Sequence, residues 1–164
     1  MSRQNVTPLA PKWLTPGEMK AWRTYIISTR RLLESLDNDL QGHGLSLYDY
    51  EILALLSDAP ERQLRMSELA HIALLSRSRL SHRIKVMEKA GWVERVSCPE
   101  DKRGFFAVMT AKGWEAIVAA APDHVESVRR HFVDHLTVNE QSTLAGIFEK
   151  VGAALLIDVK EDEK

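Results

Sequence analysis

Six residues that bind anions or donate hydrogen bonds crowd one short stretch: Arg77, Ser78, Arg79, Ser81, His82 and Arg83. Guanidinium forks pair with phosphates or with guanine edges, and short hydroxyls let a backbone approach closely. No carboxylate follows Arg77 until Glu88, whereas an ordinary solvated surface mixes both signs. The competing reading is a plain surface whose arginines form ion pairs. The coincidence with a second basic cluster at Lys102 and Arg103 favours an anionic groove.

Something must hold these side chains in one row. Leu80, Ile84 and Met87 recur at helical spacing within the same stretch, so a helix is expected with its apolar edge on a core. Ser76 is placed to cap its first turn, and Gly91 to end it in the left-handed conformation. The segment 67–73 reads as a preceding helix, with Leu74-Leu75-Ser76 as the turn between the two. Beyond Gly91 the pattern becomes strand-like in Trp92-Val93-Glu94-Arg95-Val96. A polar tip from Ser97 to Gly104 and a second β-rich run, Phe105-Phe106-Ala107-Val108-Met109, complete a hairpin. A helix-turn-helix followed by such a hairpin is a winged helix.

Ser67-Glu68-Leu69-Ala70, the basic helix, Glu88-Lys89-Ala90-Gly91-Trp92-Val93-Glu94-Arg95, Asp101-Lys102-Arg103-Gly104 and Thr110-Ala111-Lys112-Gly113 follow one another in an order that resembles the MarR family of transcriptional regulators. Met109 stands where that pattern has leucine, and His82 where many relatives have arginine. The similarity in order of elements runs from about Thr15 to the C-terminus. It implies that Arg103 enters a minor groove, where narrow A·T-rich DNA carries enhanced negative potential. Asp101, two residues before it, is spaced to orient the guanidinium; a simple turn-stabilising pair uses the same residues.

The 164 residues suffice for one unit with a real core. From Ser76 to Arg103 there are eight Lys or Arg against four Asp or Glu, in a chain whose formal net charge is −1. Local field rather than net charge governs an encounter with DNA. No run of eighteen apolar residues and no basic start before an apolar stretch is present, so no membrane span or secretory signal is expected and the anticipated compartment is the cytoplasm. A single cysteine excludes an intramolecular disulfide framework. No phosphate loop, zinc-protease motif or nucleophile elbow supports an enzyme, and no cofactor is expected.

Around the winged helix, expected at 46–110, the sequence sets three long elements. Thr15-Pro16-Gly17-Glu18 opens a helix carrying Met19, Trp22, Ile26, Leu36 and Leu40 and ending near Gly42, after an N-terminal arm at 1–14. Ser46 begins a second helix that stops at Asp58-Ala59-Pro60. Thr110 caps a long fifth helix with an apolar stripe from Trp114 to Leu136, which Pro122 should kink. Thr137-Val138-Asn139-Glu140 opens a last helix with Leu144, Ile147, Phe148, Val151 and Leu155 on one face, before a charged tail at 161–164. The segments 15–45 and 111–160 carry more apolar surface than a small winged helix covers, and in the resembling family such helices interlock two subunits.

Other candidates compete with plainer readings. Cys98, placed at the wing tip near Arg95 and Lys102, is a candidate redox thiol or an incidental exposed cysteine. His124, His131 and His135, set along the fifth helix, suggest a metal or proton sensor; a histidine-rich structural edge is the plainer reading. Trp13, Trp22, Tyr25, Tyr48 and Tyr50 lie near where the resembling family places an effector pocket, and aromatic walls there suit a small aromatic acid. The alternative is core and dimer packing. The expected fold is thus mainly α with a small β-hairpin wing. The expected function is that of a homodimeric regulator of double-stranded DNA, a repressor released from a pseudo-palindromic operator by a small aromatic effector. The alternatives are redox sensing through Cys98 and a winged-helix adaptor for an acidic protein partner.

Overall fold

Five hydroxyl side chains mark where the long helices begin. In the computed structural model, which describes residues 11–98 and 101–161 and the side chains of 11–98 and 104–155, Thr15 caps α1 (Pro16–Leu40) in a capping box with Glu18. Ser46 caps α2 (Leu47–Asp58) in a second box with Asp49. A 3-10 turn at Pro60–Arg62 leads to β1 (Gln63–Arg65) and α3 (Met66–Ile72). Ser76 caps α4 (Arg77–Ala90), which Gly91 ends at φ 81°. The strands β2 (Val93–Cys98) and β3 (Asp101–Met109) form the wing. Thr110 caps α5 (Ala111–His131), and Thr137 donates to and caps against Glu140 at the start of α6 (Val138–Glu161).

The sheet is three-stranded and antiparallel in the order β1-β3-β2, where the sequence suggested a two-stranded hairpin. Arg65 pairs with Phe106 on one side of β3 and Val96 with Phe106 on the other. Leu40, Leu45, Ile52, Leu53, Leu56, Leu69, Leu80, Ile84, Met87, Val93, Ala107, Ile117 and Ala120 form one buried core. The apolar edge of α4 is therefore anchored, and its remaining face is left to solvent. Leu74, in the turn before α4, takes φ 54° with its side chain 88% exposed, a left-handed conformation that costs a non-glycine residue about 1–2 kcal/mol.

One expectation about α5 is corrected. The helix runs through Pro122 without a break but does not continue to Leu136. It stops instead at Phe132 (φ −139°, ψ −65°), and a 3-10 turn at Val133–His135 follows. His135 and Leu136 therefore lie off the helix on which periodicity placed them. No helix among the described residues is long and apolar enough to cross a membrane.

Candidate nucleic-acid interface

The helix α4 is fixed at both ends of its hydrogen-bond ladder. Ser76 Oγ accepts from the backbone N of Arg79 at 3.3 Å, and Gly91 N donates to Glu88 O at 3.0 Å. Leu80 and Ile84 are sealed in the core, which turns Arg77, Ser78, Arg79 and His82 outward as exposed residues and leaves Ser81 and Arg83 half-buried. The helix splits these groups between two flanks. On the wing side, Arg77 and Ser81 line a cleft of about 430 Å³ with Arg65, Ser67, Arg95 and Phe105. On the α2 side, Ser78, Arg79, His82 and Arg83 line a cleft of about 450 Å³ with Tyr48 and Leu75.

Two of the cations counted in the sequence are already partnered. Arg95 donates to Glu88 Oε2 through Nη2 at 2.8 Å and Nε at 3.0 Å, and its backbone N donates to Oε1. The hydrogen bond from Arg95 holds the Glu88 carboxyl below the usual range. This pair ties the end of α4 to β2. Arg83 Nη1 donates to Asp49 Oδ1 at 3.4 Å, and its guanidinium carbon lies 5.9 Å from the centre of the Tyr48 ring. Asp49, Arg65 and Tyr48 thus belong to the surface beside α4, and sequence reasoning assigned none of them to it. The signals were present: Asp49 closes the Ser46 capping box, and Arg65 immediately precedes α3.

The wing leaves α5 through a tight joint. Thr110 Oγ1 donates to the carbonyls of Gly91 at 2.6 Å and Trp92 at 3.1 Å, and accepts from Gly113 N at 3.0 Å. Any Cβ on Gly113 would collide with the Trp92 carbonyl. The Thr-x-x-Gly pattern is explained by this contact. Backbone pairing places Asp101 opposite Cys98, so Asp101, Lys102 and Arg103 sit at the start of β3; their side chains, and so the expected Asp101–Arg103 pair, lie outside the described residues.

Cys98 is not an exposed thiol at the tip. It is buried, 4% exposed, because the register shifts between Ser97 and Cys98 and turns the side chain inward. Arg95, expected to activate it, is committed to Glu88. Burial withholds the sulfur from solution oxidants.

The five candidate pocket aromatics stand at separate places among the described residues. Trp13 is 81% exposed in the segment before α1. Trp22 stacks toward Tyr25 at 6.3 Å, and Tyr25 meets Phe148 of α6 at 5.2 Å. Tyr48 faces α4. Tyr50 alone of the five lines a cavity of about 490 Å³ between α1, α2, α3 and α5, with Leu36, Leu47, Leu55, Leu74 and His124. There Tyr50 stacks on His124 at 4.1 Å; burial pushes the Tyr50 hydroxyl up and holds the His124 imidazole down. The three histidines are likewise dispersed. His131 Nε2 lies 2.9 Å from Asp39, and His135 is exposed on the 3-10 turn. Among the described residues no group of three or more His, Cys, Asp or Glu side chains is arranged to hold a metal ion.

A family model described as MarR family matches residues 43–104, from the turn before α2 to the start of β3. The chain is 44% identical to AbsC, a MarR family transcriptional regulator from Streptomyces coelicolor, with a TM-score of 0.85 over 88% of this chain and 98% of AbsC. It is also 44% identical to Sco3205, a MarR family transcriptional regulator from the same organism solved in complex with DNA, with a TM-score of 0.86 over 88% of this chain and 92% of that one. The transcriptional regulator HosA of Escherichia coli O111:H- is 30% identical over 102 residues, 62% of this chain and 73% of HosA.

Proposed function

Because the chain belongs to the MarR family of DNA-binding transcriptional regulators, we propose that it acts as a homodimeric repressor on a pseudo-palindromic operator. Members of this family are transcriptional regulators and not enzymes. The observation that carries the reading is the face of α4: Arg77, Ser78, Arg79 and His82 exposed together, with no acidic residue before Glu88 and with Glu88 itself neutralised by Arg95. Residues 46–110 are the DNA-reading unit, with Ser81 and Arg83 completing the set on α4. Lys102 and Arg103 contact the flanking backbone and minor groove, and Asp101 orients Arg103. Two-fold symmetry brings two α4 helices into successive major grooves about one helical turn apart.

Residues 15–45 and 111–160 hold the two copies together. Support comes from apolar side chains left uncovered on all three long helices, among them Trp22, Ile27, Leu33, Val118, Val125, Ile147 and Leu155. The cavity behind Tyr50 and His124 supports a small aromatic effector as the releasing signal: leucines of α1 and α2 line it beside the two rings, with Glu51 and Asp58 as its carboxylates, and it touches both α5 and the turn before α4. Such a ligand releases DNA only by binding one arrangement of the dimer more tightly than the other.

The test is selection of genomic fragments by the purified dimer, followed by gel-shift titration against bulk DNA. Fragments enriched for an inverted repeat, bound at least about a thousandfold more tightly than bulk DNA, are expected. Absence of any preferred fragment would instead favour a winged-helix adaptor that offers the same face to an acidic protein.

A further inference from the structure

The capping box that starts α2 also reaches the reading face of α4. Asp49 is 5% exposed. Its Oδ2 accepts from Ser46 N at 3.0 Å and from Ser46 Oγ at 2.6 Å. Those two bonds fix the plane of the carboxylate and leave Oδ1 toward Arg83 Nη1 at 3.4 Å. The Arg83 side chain retains 31% exposure and lies between Asp49 beneath it and the Tyr48 ring beside it, at the α2-side cleft shared with Ser78, Arg79 and His82.

The sign of this pair is informative. A carboxylate next to an anionic polymer opposes attraction, so Asp49 does not serve affinity. It can serve direction. Reading guanine requires two N–H groups of a guanidinium presented in one plane, and a free arginine side chain must lose rotamer freedom to present them. Arginine has five donors, so one bond to Asp49 leaves four for DNA. A phosphate contact has no such need, because charge alone suffices.

We propose that Asp49 is a positioning residue for base readout: clamped by Ser46, it aims the Arg83 guanidinium, alongside Tyr48, at a base edge in the major groove. This rests on α4 entering that groove as proposed above. Tyr48 is thereby a wall of the reading site and not of the effector pocket.

The test uses the full-length protein and a duplex selected from random DNA by the wild-type chain, compared with a shuffled duplex of the same composition over a range of salt. Asp49→Asn is expected to lower the ratio of selected to shuffled affinity about tenfold, with shuffled binding no weaker than wild type, because the substitution removes a charge that opposes DNA. In an Arg83→Ala background the same substitution should move the ratio by less than about twofold, because the group it aims is gone. Asp49→Glu, which keeps both a cap acceptor and a carboxylate, should retain most of the ratio. Arg83→Lys leaves the Ser46–Asp49 cap untouched and keeps the charge without the planar fork, so it should lose the ratio as Arg83→Ala does. Preserved discrimination in Arg83→Lys, or equal losses on both duplexes in a folded Asp49→Asn protein, would overturn the positioning role. If Arg83→Ala itself leaves the ratio at the wild-type level, the assignment of Arg83 to base readout falls, and this inference with it.

Discussion

His124 shows how one residue's burial decides its chemistry. Its Nδ1 is buried and has no hydrogen-bond partner among the described residues, and the ring stacks on Tyr50. Burial lowers its pKa below the ordinary 6.5. The unfolded chain then binds the extra proton first. The stability His124 contributes is therefore complete above about pH 6.5 and is lost as pH falls from there through the lower folded-state value. Melting temperatures of wild type and His124→Phe between pH 7.5 and pH 5 check this: the wild type should lose more on acidification. Parallel losses would refute it. Sequence placed His124 in a row with His131 and His135, but spacing does not reveal that one faces a cavity while another meets Asp39. Tyr48 and Tyr50 teach the same point, since residues two apart on a helix face different ways. One adjoins Arg83 and the other His124.

At the scale of elements, what could be read was what local chemistry decides. Thr15, Ser46, Ser76, Thr110 and Thr137 each announce a helix start because the capping partner lies within three residues. β1 was invisible because Gln63-Leu64-Arg65 becomes a strand only by pairing with β3, more than forty residues away. The end of α5 was misread because apolar periodicity continues to Leu136 past the backbone break at Phe132. The buried Cys98 was misread because a register shift in the wing leaves no mark on composition. The joint between wing and α5 yields a prediction. Gly113 is seated against the Trp92 carbonyl, which is backbone and cannot swing aside. Gly113→Ala should cost about 3 kcal/mol through overpacking, although alanine is the better helix former. Chemical denaturation measures it. A neutral or stabilising alanine would show that the α5 start can slide off the sheet.

The molecule as a whole has its winged helix closed and its long helices open. The core lies around α2, α3, α4 and the sheet, whereas α6 touches its own chain through such contacts as Phe148 on Tyr25 and Gln141 on the carbonyls of Val133 and Leu136. Ile147, Phe148, Val151 and Leu155 of α6 all remain exposed. A symmetric interface uses each such position twice. Fully burying an isoleucine is worth about 1.5–3 kcal/mol and Ile147 is already half covered by its own chain, so losing it in both copies removes about 1.5–3 kcal/mol, a factor of roughly 10 to 10² in the dimer dissociation constant. A glutamate there adds the cost of desolvating charge. Ile147→Glu is thus expected to sediment as a monomer at micromolar concentration. Because Ile147 is exposed in the single chain, the winged helix itself should stay folded, with its far-ultraviolet circular dichroism unchanged. Operator binding should fall far more than binding to a single half-site, because only the paired arrangement engages both grooves at once. An Ile147→Glu protein that remains dimeric, or a monomer that binds the operator as well as wild type, would remove α6 from the assembly and leave its apolar face to some other partner.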